Sequence, residues 1–307
     1  MYGVDIVTPS APLYFPENSP PAIHRKKTFM KIFATLLAIV AGSYGIWIAF
    51  RHHPEVKNQV AHLLDIGHFR TLEVRYNASQ IMEQHRQELL KDSRHRFLDP
   101  VLEFYPYLLM EVKYTAPDDK THESVILWDL TDGEMVINTR NWDKTHGFGD
   151  CIAADTTQQE FKILSFLAKK GGSLDRGSLT LGLNVEPDIL SSWLESCRRK
   201  KLIIQTGNHY KLHFQRPRLH LIPETRLDER LVTKPYKDAI RLGRHFSPSQ
   251  IDRISRALFG QNFTIRRMSD VYLPVHSIIV QNPDGSIHTS HWNALNGRRL
   301  SRSHFID

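Results

Sequence analysis

The side chains in this 307-residue chain best suited to chemistry are its seventeen histidines, several of them beside aspartates, and two cysteines. His288 and His291, with His52-His53, are the compact histidine spacings. On a strand, residues three apart point to opposite faces, so His288 and His291 cannot converge on a metal without distortion. Asp118, Asp119 and His122, echoed by Asp284 and His288, could hold a cation, but turn chemistry accounts for the aspartates equally well. The sequence has no phosphate-binding glycine loop, no Gly-x-Ser-x-Gly, no zincin helix and no cysteine pair at metal spacing. The expectation is a protein that is not an enzyme, with no catalytic, metal or cofactor residues; an unrecognised hydrolase or metal enzyme is the remaining alternative. Cys197 shares a helical stripe with Ile189, Leu190, Trp193 and Leu194 and reads as a small buried residue. Whether it pairs with Cys151 is left open, because sequence does not set disulfide geometry.

The elements that must position these residues are announced by a repeat. Trp128-Asp129-Leu130-Thr131-Asp132-Gly133 returns as Trp292-Asn293-Ala294-Leu295-Asn296-Gly297. Upstream, Phe97 matches Phe263, Pro117-Asp118 matches Pro283-Asp284 and His122 matches His288, with a two-residue slip before the tryptophans. Asn77-x-x-Gln80 and Ser247-x-x-Gln250 are both capping boxes, and Pro248 suits a first helical position. Each helix leads to a strand (107–115 and 271–281), a Pro-Asp turn, a second strand, the tryptophan corner and a third strand (134–140 and 298–304). Two copies of a helix plus a three-stranded antiparallel meander follow, each near the lower limit for independent stability. The alternative is two unrelated hairpins with common turn residues. Trp128 and Trp292 are expected to anchor the cores of the copies, with a ligand-stacking pair as the lesser reading.

A stretch of about 19 residues without a charge, 32–50, matches the thickness of a bilayer and reads as an uncleaved anchor. Arg25, Lys26, Lys27 and Lys31 before it, against Arg51, Lys57 and Arg70 after it, favour a cytoplasmic N-terminus. The formal net charge of +7 suits anionic lipid, acidic proteins or nucleic acid without choosing among them.

Between the copies, 157–170, 173–183 and 187–201 read as three helices. A hairpin follows over 202–214, closed at Thr206-Gly207-Asn208. Three helices and a hairpin, with Trp193 to Ile203 running from the third helix into the first wing strand, resemble the winged-helix family over about 60 residues. DNA-binding members of that family place the start of the third helix in the major groove. Here that segment carries Glu186, Asp188, Ser191, Ser192 and Glu195, and phosphates would repel its carboxylates. The cations Arg198, Arg199, Lys200 and Lys201 lie at its far end, and Arg216 and Arg218 follow the hairpin. These six are the candidate contacts to an anionic partner.

The fold class expected is therefore α+β: one N-terminal transmembrane helix and two duplicated modules flanking a winged-helix-like domain. Its segments are a disordered cytoplasmic tail (1–28), the membrane helix (29–50), a juxtamembrane linker (51–70), copy A (71–152), the winged-helix-like domain (153–215), a linker (216–244) and copy B (245–307). The function expected is that of a single-pass membrane-anchored scaffold, a subunit of a bacterial envelope or secretion-type complex. Its C-terminal region would lie on the non-cytoplasmic side of the inner or plasma membrane. Partners would be other protein subunits, with DNA less favoured and self-association through the helix a further option. The alternative is a membrane-tethered winged-helix DNA-binding regulator whose C-terminal region is cytoplasmic.

Overall fold

The structure, a computed structural model, describes residues 67–116, 118–214, 217–219 and 222–300. Strand β1 (His68–Leu72) leads into helices α1 (Ala78–Gln84) and α2 (Arg86–Leu89). The short β2 (Arg96–Phe97) precedes β3 (Val101–Thr115), β4 (Thr121–Asp129), β5 (Met135–Asn138) and β6 (Asp143–Lys144). The middle of the chain holds α3 (Phe148–Ala153), α4 (Gln158–Lys169), β7 (Ser173–Asp175), α5 (Arg176–Leu183), α6 (Pro187–Arg199), β8 (Ile203–Thr206) and β9 (His209–Leu212). Then come β10 (Leu231–Pro235), β11 (Ile240–Arg241), α7 (Pro248–Phe259), β12 (Phe263–Gln281) and β13 (Ile287–Asn293).

The two longest strands, β3 and β12, run antiparallel side by side from Phe263 opposite Tyr114 to Pro274 opposite Phe104. Each carries its own hairpin partner on its outer edge, β4 on β3 and β13 on β12. The outer edge then changes partner. β11 pairs parallel with β3 at Glu103 and Phe104, and β1 pairs parallel with β12 at Tyr272. Pro106 and Pro274 sit at these two changeovers, where the missing proline N–H is not required by a ladder. Their carbonyls are used instead: Leu130 N–H donates to Pro106 and Ala294 N–H to Pro274.

The duplicated helices are exchanged between the copies. His245 and Phe246, just before α7, donate backbone N–H bonds to the Leu130 carbonyl in the corner of copy A. Arg75 and Tyr76, just before α1, donate to the Ala294 carbonyl in the corner of copy B. Helix α1 therefore buries Ile81 against Ile278, Val280 and Trp292. Helix α7 buries Ile251 and Ile254 in the cluster that holds Met110, Val112 and Trp128. Both helices begin with the capping box read from sequence, at Asn77 and at Ser247.

The middle helices belong to the same cluster. Phe148, Phe161, Leu164, Leu167, Leu190 and Leu194 pack continuously with Trp128 and Ile254. The opposite face of the sheet buries Tyr105, Tyr107, Leu109, Val271, Leu273 and Val275. That alternation along β3 and β12 is the period-two pattern of a sheet covered on both sides.

The expectation of two separate meander modules beside a transmembrane helix is corrected. The strands of both copies join one large curled sheet of ten strands, with parallel as well as antiparallel pairs. Strand β12 is 19 residues long, and β13 covers only its last seven, so the rest pairs with β3. A third strand appears in copy A as β5; in copy B its described part is a single bridge, Trp292 to Arg299, and 301–304 lie outside the described residues. Residues 68–70, read as linker, are part of β1, and 216–244 contains β10 and β11.

The membrane helix is also corrected. Among the described residues no helix is long and apolar enough to cross a membrane. The longest, α6, has 13 residues, about 20 Å at 1.5 Å each, short of the roughly 30 Å hydrocarbon core. The expected span 29–50 and tail 1–28 lie outside the described residues. The single-pass topology and membrane localisation that rested on them are set aside.

Candidate functional site

Helices α4, α5 and α6 pack with the three-stranded sheet β7-β9-β8. Thr157 and Glu160 cap α4 reciprocally, Asp175 caps α5 through Ser178 N–H, and Asn184 ends α5 in the left-handed region. Pro187 opens α6, so the α5–α6 turn is short and its direction fixed. Gly182 lets α5 lie on α4: a Cβ there would fall 2.0 Å from the Phe166 ring. Arg176 spans the two helices, donating to the Pro187 carbonyl and the Ser191 hydroxyl.

The pair leaves aliphatic and acidic side chains in solvent, beside the exposed Arg176 at the start of α5 and Arg198 and Arg199 at the end of α6. Leu181 on α5 is 84% exposed and Ile189 on α6 is 45% exposed. Glu186, Asp188, Ser192 and Glu195 are exposed on the same two elements and their turn. Trp193, half-buried, lies under the Lys162 ammonium at 5.9 Å.

Of the six cations read from sequence, three are paired within the chain. Arg198 donates to Glu195 at 3.0 Å. Lys200 turns inward to the buried Glu160 carboxylate and the Asp155 carbonyl, both at 2.8 Å. Burial alone would raise the Glu160 pKa, but Lys200, the Ser196 hydroxyl and the Thr157 N–H together hold it below the ordinary carboxylate value. Arg218 grips Asp143 with two bonds of 2.9 and 3.0 Å at the β6 edge. Arg199 and Lys201 are exposed, and Arg216 lies outside the described residues. Trp128 and Trp292 are core residues, with indole N–H bonds to the Gly133 carbonyl and the Ser290 hydroxyl respectively.

Two polar clusters were not read from sequence. In the corner of copy A, Asp129 accepts from the Tyr107 hydroxyl at 2.6 Å and from the Lys144 ammonium at 2.7 Å, while Lys144 also bonds Asp132. Burial raises the Asp129 pKa, but the Lys144 charge outweighs it and keeps Asp129 ionised. Across the sheet, the Ser277 hydroxyl lies 2.8 Å from Glu103 and 2.9 Å from His291 Nδ1, which the Tyr105 hydroxyl also approaches at 3.3 Å. The His291 contact lowers the Glu103 pKa against the effect of burial. A Ser-His-acid relay needs the serine and the acid on different ring nitrogens. Here both face Nδ1, at 2.9 and 3.7 Å, and Ser277 is buried. These residues tie β3, β12 and β13 together and do not present a nucleophile. Glu103 and Ser277 are 174 positions apart, so only the strand register could have revealed them.

The metal candidates are likewise scattered. Asp118 and Asp284 each receive a backbone N–H two residues on, from Lys120 and Ser286, as turn residues do. His288 lies beside Arg299, away from the His291 cluster. Both cysteines are free and buried; burial raises both thiols, Cys197 to about 12, so neither is a poised nucleophile. No family model, no curated protein and no solved structure matches this chain.

Proposed function

We propose that this chain is an interaction protein, a subunit or scaffold of a larger assembly, whose winged-helix-type domain takes a protein partner on its α5–α6 face. The observation that carries the reading is the character of that face. A helix pair that enters a DNA groove needs cations against phosphate. This one offers two exposed aliphatic side chains, with exposed carboxylates at Glu186, Asp188 and Glu195 on the same elements, a composition suited to an apolar contact with a basic rim. The internal pairing of Arg198, Lys200 and Arg218 supports the same reading.

The alternative is a DNA-binding protein that uses the exposed Arg199 and Lys201 at the far end of α6. The two separate in one comparison. Leu181→Asp with Ile189→Asp should leave the circular dichroism unchanged and remove a discrete partner quantified by mass spectrometry beside the native chain. Strong, steeply salt-dependent binding to duplex DNA, weakened by Arg198→Ala with Arg199→Ala, would overturn the reading.

A further inference from the structure

The two tryptophan corners share a backbone and differ in charge. In copy A, Asp129 Oδ1 accepts the Thr131 N–H and Asp132 Oδ1 accepts the Glu134 N–H. In copy B, Asn293 Oδ1 accepts the Leu295 N–H and Asn296 Oδ1 the Arg298 N–H, both at matching positions. These bonds fix the orientation of all four side chains. The remaining carboxylate oxygens of copy A converge on the Lys144 ammonium. The remaining atoms of copy B are the amide nitrogens of Asn293 and Asn296, donors where copy A has acceptors. Glu134 is replaced in the same register by Arg298.

A pocket of about 170 Å³ opens at this second corner. Asn293, Asn296, Arg298, Arg299 and Leu300 of copy B line it together with Asn141 and Trp142 of copy A. Asn293 is fully buried and its Nδ2 has no hydrogen-bond partner; the buried Nε1 of Trp142 has none of good geometry, with only the Tyr107 hydroxyl, itself bonded to Asp129, beside it. Asn296 Nδ2 reaches the Arg140 carbonyl only at 3.4 Å, and Arg299 pairs at 3.5 Å with Glu88. Trp142 is held at φ 55°, a left-handed backbone that bulky residues rarely adopt, with its ring edge-on to Tyr107. Strain of this kind marks side chains kept in place for a purpose.

We infer that the second corner is a binding site for an oxyanion, a carboxylate or phosphate group, held by the Asn293 amide, the Trp142 indole N–H and the Arg298 guanidinium. Buried donors without acceptors are rare in folded chains, and a ligand with acceptors only would satisfy both at once. Guanidinium groups match such oxygens in geometry and charge. The same turn thus binds an internal cation in one copy and an external anion in the other.

The test is a titration of the ¹⁵N-labelled full chain with inorganic phosphate and, separately, acetate, at constant ionic strength set with sodium chloride. The Trp142 indole N–H signal, assigned by its loss in Trp142→Phe, should shift saturably with at least one of the two. Which one responds more tightly distinguishes the phosphate from the carboxylate source. Arg298→Ala should weaken that binding by about tenfold or more, the loss expected for one charge-assisted bond. Asn293→Asp, which retains the Leu295 bond, should abolish it while the other indole signals stay in place. An indole shift no larger than with sodium chloride alone, or one unaffected by both substitutions, would overturn the proposal.

Discussion

At the Asp132 carboxylate, burial and the neighbouring Asp129 charge push the pKa up to about 7, against the pull of Lys144. One ammonium is shared by two buried acids, so the second is ionised at a cost. Its pKa in the unfolded chain is near 3.8, so folding takes up a proton between these values. The group therefore lowers stability progressively as pH rises from about 4 to about 7, and the loss is complete above that. Asp132→Asn keeps the acceptor for the Glu134 N–H and removes the titration, as Asn296 does in copy B. Melting temperatures should show the variant gaining on the native chain through that window and holding its gain at higher pH. A difference independent of pH would mean that Asp132 does not titrate there. The corner motif was plain in the sequence, and so was its change from Asp to Asn. Its meaning was not, because Lys144, Tyr107 and Trp142 reach the corners only through the fold.

The elements were more legible than their pairing. Capping boxes at Asn77 and Ser247, the five-residue turns closed by Ala116–Lys120 and Asn282–Ser286 bonds, and the strands β3, β4, β5 and β13 all follow from local chemistry. The exchange of α1 and α7 does not, since the bonds from Tyr76 to Ala294 and from Phe246 to Leu130 join residues 218 and 116 positions apart. Helical periodicity says which face of α1 is apolar and nothing about which copy receives it. Ile81→Ala and Ile251→Ala each empty a fully buried site and should cost about 2–5 kcal/mol in denaturant titrations. Helix α3 is locked as tightly: a Cβ on Gly149 would lie 2.5 Å from the Asp132 carbonyl oxygen, a backbone atom that cannot swing away. Gly149→Ala should therefore destabilise by about 1–3 kcal/mol in the same measurement. A neutral result would show that α3 can move off the corner.

For the whole molecule, exchange makes the copies interdependent. Copy A supplies the Trp128 corner but needs α7 and β12 from copy B to cover it. A fragment of residues 67–155 should give the amide spectrum of an unfolded chain, and the full chain should unfold in one transition. A folded fragment would show that the copies stand alone. The sequence reading treated the middle helices as an insert between halves, whereas Phe161, Leu164 and Ile254 share one core. That core holds α5 and α6 and leaves Leu181 and Ile189 exposed outside it. The most direct measurement is photo-crosslinking from position 181 of the full chain in its native cell. A discrete protein adduct that disappears with Ile189→Asp is the result predicted. No protein adduct from position 181, together with nucleic-acid adducts from a crosslinker at position 199, would contradict it.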